Sequence, residues 1–337
     1  MKIALLAPLR YPIAEPYAGG LEAHTHALAI GLRELGHEVT LIARPGSDPS
    51  FATLPFEAPE DDALLGSART YHRVMKWLRG QDFDVLQNNS IHWLPPVLAG
   101  RLPYPVVTTL HTPPYRTHRW SAGFTRADKH HYVSISHYVA DLWQPRVGPS
   151  TVIHNGIALH QFPFAPAASP NKHAIWYGRM LPDKGPHHAI DAAREAGFSL
   201  TVAGPVDDQI YYDSLIKPHL GERIRHVGHV RQDKLATLIG QASVGLVTPV
   251  WDEPFGLVCA EMLACGTPVA AFAGGAVEEV LDATCSVVVP KGDSRAMARV
   301  LCEVASKPRA ACRARAEAFS RSAMVRKYAD LYGMRHG

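Results

Sequence analysis

Val244-Gly245-Leu246-Val247-Thr248-Pro249-Val250-Trp251-Asp252-Glu253-Pro254-Phe255-Gly256-Leu257-Val258-Cys259-Ala260-Glu261-Met262-Leu263-Ala264-Cys265-Gly266-Thr267-Pro268-Val269 is the stretch that decides the fold. Val244 to Thr248 is an apolar run of strand length, and Pro249 to Pro254 is rich in turn formers. Leu257 to Cys265 has helical spacing; Gly266 suits its C-terminal cap, and Pro268 prevents its continuation. Val269 to Phe272 predicts the next strand, and Gly274-Gly275 a tight turn. The unit is therefore β-α-β, and its helix start exposes free N–H groups and a positive dipole end at the carboxyl edge of a parallel sheet. Glu253 and Glu261 flank that start. A carboxylate repels phosphate, so both suit hydroxyl groups of a sugar or a ribose. The same spacing also fits a helix cap and a solvated polar face.

The pattern Glu253-Pro254-Phe255-Gly256-Leu257, then Glu261, then Gly274-Gly275 and Glu278, resembles the paired-glutamate signature of retaining nucleotide-sugar glycosyltransferases of family four. The resemblance implies an α/β protein of two facing Rossmann-like domains (GT-B architecture) with the donor cleft between them. It assigns Glu253 to hydroxyls of the donor sugar, the amides of Gly256 and Leu257 to the diphosphate, and Glu261 to the ribose.

Working outward, Lys2 to Ala7 predicts a strand, Gly19-Gly20 a turn, Leu21 to Leu32 a helix, and Val39 to Ala43 a second strand. That is a Rossmann-type opening without the Gly-x-Gly-x-x-Gly fingerprint, which disfavours a dehydrogenase. Gly19 and Gly20 match the family turn that approaches the diphosphate. Val106 to Leu110 predicts a strand followed by His111, which resembles the family's active-site histidine. Further strands are expected at Phe83 to Gln87, Tyr132 to Ser136 and Thr151 to Ile157. At His154 the family usually carries proline.

Phe162 to Pro170, rich in proline and alanine, suits a linker. Beyond it Ala174 to Gly178 begins a second alternation. Arg179 and Lys184 match the family's diphosphate-binding cations, arginine as a planar fork and lysine as a point charge. Leu200 to Gly204 is a strand ending in glycine. Arg225 to Val230 resembles the segment that holds the nucleobase near His229 and Val230. The expected organisation is residues 1–162 as acceptor domain, 163–172 as linker, 173–309 as donor domain, and 310–337 as a helix crossing back.

The chain has 337 residues, 47% of them hydrophobic and 19% charged, which describes a globular protein with room for two cores. No run reaches the length of a membrane span, and the first residues predict a strand rather than a signal peptide. Five cysteines without metal-type spacing fit reduced thiols in a cytoplasmic protein. The net charge is only +3, but eight Lys or Arg against two acids follow from Lys307 on. That basic end suits a solvated face, an anion site or a lipid contact. Arg69, His72, Arg73, Lys76, Trp77 and Arg79 form a second basic group on a helical stretch. Arg116, His118, Arg119, Trp120, Arg126 and Lys129 form a third; both belong to the acceptor side.

The expected chemistry is transfer of a hexosyl group from a nucleoside-diphosphate sugar, UDP- or GDP-linked, to an acceptor hydroxyl with retention. His111, Glu253, Arg179 and Lys184 carry catalysis in this reading. Gly19, Gly20, Gly204, His229, Val230, Gly256, Leu257 and Glu261 bind the donor. The expected partners are that donor and a glycan, glycolipid or small-molecule acceptor, with a peripheral membrane contact and no nucleic acid. No Asp-x-Asp pair or histidine cluster sits at a strand end, so neither metal nor cofactor is expected. A nucleotide-sugar epimerase, a disaccharide phosphorylase of the same architecture and a non-catalytic nucleotide-sugar-binding protein are the alternatives.

Overall fold

The computed structural model describes residues 1–55, 64–115, 130–169 and 171–336. Its described residues hold two parallel sheets. The first contains β1 (Lys2–Leu6), β2 (Glu38–Ala43), β3 (Ala52–Pro55), β4 (Val85–Asn88), β5 (Val106–Leu110), β6 (His130–Ser134) and β7 (Thr151–Val152). Their order is β3-β2-β1-β4-β5-β6-β7. The second contains β8 (His173–Tyr177), β9 (Ser199–Ala203), β10 (Ile224–His226), β11 (Val244–Val247), β12 (Val269–Phe272) and β13 (Ser286–Val289), ordered β10-β9-β8-β11-β12-β13. Each order reverses beside its first strand, between β1 and β4 and again between β8 and β11. Loops leaving the carboxyl ends there enclose the crevice where doubly wound sheets take ligands.

Parallel strands are covered on both faces, which explains why they occur as unbroken apolar runs. Successive side chains of β1 show the division. Ile3 and Leu5 join Leu28, Leu32 and Tyr328 on one face, while Ala4 and Leu6 join Tyr71, Val74 and Leu78 on the other. Helix Gly20–Glu34 packs closely on helix Arg321–His336 because Gly31 has no side chain. A Cβ there would stand 2.4 Å from Cγ2 of Val325.

The chain divides into two compact units, residues 1–156 with those from Arg321 on, and Ile157–Ser320. The break thus falls before the proline-rich stretch. Ile157 already belongs to the second unit, where its amide donates to the carbonyl of Phe319 at 2.8 Å. The expected single helix from 310 is two helices, Arg309–Glu317 in the second unit and Arg321–His336 in the first.

The basic end has a structural use. Arg309 donates to the carbonyls of Ala165, Gly240, Ala242 and Cys265, and Arg313 to those of Phe162 and Ala264. Arg315 donates to the carbonyls of Glu279 and Val280. These guanidinium forks satisfy backbone acceptors left over at helix ends. Arg321 pairs with Glu34. A solvated or lipid-facing end does not describe these four arginines.

Two strands end four or more residues before their expected ends. β10 stops at His226, with Gly228 at φ +74°, so His229 and Val230 lie in a loop. β7 ends at Val152. Among the described residues no helix is long and apolar enough to cross a membrane.

Candidate functional site

In the second unit, two loops that leave neighbouring strands are locked together. The indole N–H of Trp176 on β8 donates to the Thr248 hydroxyl at 3.0 Å, and that hydroxyl donates to the Gly185 carbonyl at 2.8 Å. The Val250 amide donates to the Asp183 carbonyl at 2.9 Å. Gly185 is left-handed at φ +63°, and a Cβ would come within 2.2 Å of the Thr248 carbonyl oxygen. Only glycine permits this approach.

The result is a contact between two predicted site residues. Lys184 Nζ donates to Glu253 Oε2 at 2.9 Å and to Oε1 at 3.2 Å. The same ammonium lies over the Trp251 ring, 4.6 Å from its centroid. Burial strengthens both attractions, since less than a quarter of either charged side chain is exposed. Glu253 is held from behind by the Gly274-Gly275 turn. The Ala276 amide donates to its carbonyl at 2.8 Å, and a Cβ on Gly275 would stand 2.1 Å from that oxygen. Lys291 pairs with Asp252 beside the same turn.

Gly256, left-handed at φ +88°, precedes helix Leu257–Ala264, whose start no described side chain caps. Glu261 lies deeper along that helix and accepts from the Tyr177 hydroxyl at 2.7 Å. Burial raises its carboxyl to about 7, while the tyrosine hydrogen bond pulls the other way. Glu261 is therefore no solvated face.

Arg179, by contrast, is a third exposed and pairs with Asp207 at 3.3 Å. Gly204 meets β8 where side chains have no room, for a Cβ there would overlap the Gly178 carbonyl oxygen at 1.9 Å. Its own carbonyl accepts from His226 Nε2 at 2.9 Å, which leaves Nδ1 to accept from the Tyr212 hydroxyl at 2.9 Å. His229 is exposed beyond this junction and Val230 is half-buried.

In the first unit His111 follows β5 directly and is buried. Burial, with the nearby His24, holds its imidazole well below the ordinary histidine range. Gly19 precedes the helix Gly20–Glu34 in extended backbone, a conformation open to any residue. A Cβ on Gly19 would stand 3.3 Å from a Glu22 carboxylate oxygen, so glycine here supplies room rather than a turn angle.

Arg69, His72, Arg73, Lys76 and Arg79 are all exposed along and just past helix Leu64–Leu78, so the basic face exists. Trp77 does not share it; half-buried, its ring packs against Phe83. The basic segment Arg116, His118, Arg119, Trp120, Arg126 and Lys129 lies outside the described residues.

Sequence reasoning passed over Trp251, Tyr177, Asp207 and His24. Trp251 and Tyr177 stand beside named residues, so position could have marked them. Asp207 and His24 carry no local signal.

Two Rossmann-type units, each with ligand-side loops at its switch point, are the parts of a GT-B architecture. The model described as Glycosyltransferase Family 4 matches residues 18–161, and that described as Glycosyl transferases group 1 matches 161–321. The chain belongs to glycosyltransferase family four. It is 28% identical to a glycogen synthase of Mycobacterium tuberculosis, across 88% of this chain and 84% of that protein. It is 29% identical to a phosphatidyl-myo-inositol mannosyltransferase of Mycobacterium leprae, across 89% and 86%. Among solved structures, sucrose-phosphate synthase of Thermosynechococcus elongatus superposes with TM-score 0.82 at 21% identity, covering 99% of this chain and 98% of that one. HepE of Anabaena, solved with UDP and glucose, superposes with TM-score 0.79 at 18% identity, covering 99% and 100%.

Proposed function

We propose that this enzyme transfers a hexosyl group from a nucleoside-diphosphate sugar, UDP- or GDP-linked, to an acceptor hydroxyl with retention of configuration. The observation that carries the proposal is the Lys184–Glu253 pair beside the uncapped start of helix Leu257–Ala264. A cation and free backbone amides serve a departing diphosphate, whose charge must be stabilised as the glycosidic bond breaks. A carboxylate within reach of the same ammonium serves sugar hydroxyls.

In this reading Lys184, Arg179 and the amides of Gly256 and Leu257 take the diphosphate. Arg179 would exchange Asp207 for phosphate oxygen. Glu253 takes the sugar and Glu261 the ribose, while Gly204, His229 and Val230 line the base. By resemblance, Gly19-Gly20 are given the diphosphate and His111 the part of the family's active-site histidine. The curated relatives bear sugar-transferase names, which supports transfer over binding alone. The exposed basic face Arg69, Arg73 and Lys76 suits an anionic acceptor or an anionic lipid surface.

The test is release of nucleoside diphosphate from UDP- and GDP-sugars with and without acceptor alcohols. Acceptor-dependent release that needs no inorganic phosphate is the expected result. Release that requires phosphate, or epimerised donor without transfer, would replace the proposal with a phosphorylase or an epimerase.

A further inference from the structure

Helix Gly20–Glu34 of the first unit buries a histidine to which the proposed transfer gives no part. His24 is 1% exposed, and neither ring nitrogen has a hydrogen-bond partner among the described residues. His111 is 7% exposed, and its Nε2 is likewise unpartnered among them. The two rings meet edge to face, with centroids 4.9 Å apart and planes at 70°. His24 also meets the Tyr328 ring, at 6.1 Å and 62°. Asn155 is its polar neighbour, near enough to favour the charged imidazole, yet no hydrogen bond of ordinary geometry closes between them.

Tyr328 is itself fixed. Its hydroxyl shares a 2.9 Å hydrogen bond with Thr109 on β5, the strand that His111 follows directly. Thr109 accepts from Gln87 Nε2 at 2.8 Å, and Gln87 Oε1 accepts from the Tyr332 hydroxyl at 2.8 Å. A hydrogen-bonded network therefore joins the strand that His111 follows to the helix that braces His24.

The second side-chain torsion of histidine has broad, roughly two-fold minima. With Nε2 unbonded to any described residue, packing against neighbouring rings helps to select the ring orientation. We propose that His24, braced by Tyr328, is a positioning residue that sets the orientation of the His111 ring. Edge-to-face contact suits this, because each ring offers a positive edge to a negative face. Burial lowers the His24 imidazole to about 4, so both rings are neutral near pH 7 and no charge repulsion opposes the contact. The proposal deepens the role given to His111. Its readout needs no substrate, so failure here and failure of the transfer reading are separate results.

The test observes the ring signals of His111 by NMR in histidine-labelled protein, assigned by their loss in His111→Asn. His24→Leu fills the volume without a flat ring, and His24→Phe restores one. In His24→Leu the His111 signals should shift and broaden, and their titration midpoint should rise toward the ordinary value by about one pH unit as water gains access. His24→Phe should return both to the wild-type pattern. His111 signals and titration unchanged in His24→Leu, with only a lower melting temperature, would reduce His24 to core packing and overturn the proposal.

Discussion

Lys184 Nζ lies 2.9 Å from Glu253 Oε2, although 69 residues separate them in the chain. β8 and β11 are hydrogen-bonded neighbours, and the loops that follow them are tied through Thr248, Asp183 and Gly185. The ammonium and the carboxylate neutralise one another.

This pairing makes the two substitutions act in opposite directions on nucleoside diphosphate binding. Lys184→Ala removes a charged hydrogen-bond donor, a loss of about 1.5–3 kcal/mol or roughly 10- to 150-fold in affinity. Glu253→Gln releases the ammonium and removes a repelling carboxylate, so free diphosphate binding should hold or tighten while sugar transfer falls. Calorimetric titration with the free diphosphate separates the two. Equal weakening in both variants would contradict the division of roles.

Glu261 predicts a pH dependence. Its folded carboxyl is raised to about 7 from an ordinary 4.5, chiefly by burial. Between those values the folded state holds the proton and the unfolded state has lost it. The group's contribution to stability is thus fully present below about 4.5 and is lost as pH rises through about 7. Ribose recognition runs the other way, because the carboxylate is the better acceptor. Nucleotide affinity relative to Glu261→Gln should therefore grow from pH 6 to 8. Tyr177→Phe removes the bond that favours the carboxylate and should move the midpoint upward. Parallel profiles for wild type and Glu261→Gln would remove the ribose role.

Gly275→Ala places a side chain where φ is +62° and where a Cβ would overlap the Glu253 carbonyl. The left-handed backbone alone costs about 1–2 kcal/mol. The measured loss in chemical denaturation should exceed that, because the Glu253 backbone must move. Diphosphate binding should weaken as well. Full binding in a folded Gly275→Ala protein would show that this turn does not set the site.

The basic face of helix Leu64–Leu78 predicts a surface effect. A cation near an anionic bilayer contributes about 1 kcal/mol. Arg73→Glu with Lys76→Glu should reduce sedimentation with anionic vesicles by about 10-fold or more and leave binding of nucleoside diphosphate unchanged. Equal sedimentation of both proteins would restrict the face to solvation.

The alternation of strands and helices was legible because strands covered on both faces must be continuous apolar runs, as Ile3 to Leu6 and Val106 to Leu110 are. β3 was not: Ala52–Pro55 is a four-residue edge strand ending in proline, with no run to mark it. β10 is shorter than its sequence pattern suggests because the backbone turns at Gly228, φ +74°, two residues past His226. In the site, Glu253, Glu261 and Lys184 were readable from local motifs. The ion pair between Lys184 and Glu253 was not, since it depends on which strands are neighbours. His24 was hidden among nineteen histidines; only its contact with His111 singles it out. The arginines from Arg309 on looked like a solvated basic end because sequence does not show carbonyls waiting at distant helix ends.

In the proposed reading this site holds a nucleoside diphosphate on Lys184. Thermal unfolding of the wild type and of Lys184→Ala, each with UDP, GDP, ADP and dTDP, tests it most directly, because a ligand bound only by the folded state raises the melting temperature by mass action. UDP or GDP should raise the wild-type melting temperature, and the rise should shrink sharply in Lys184→Ala. No rise with any of the four, or an equal rise in both proteins, would contradict it.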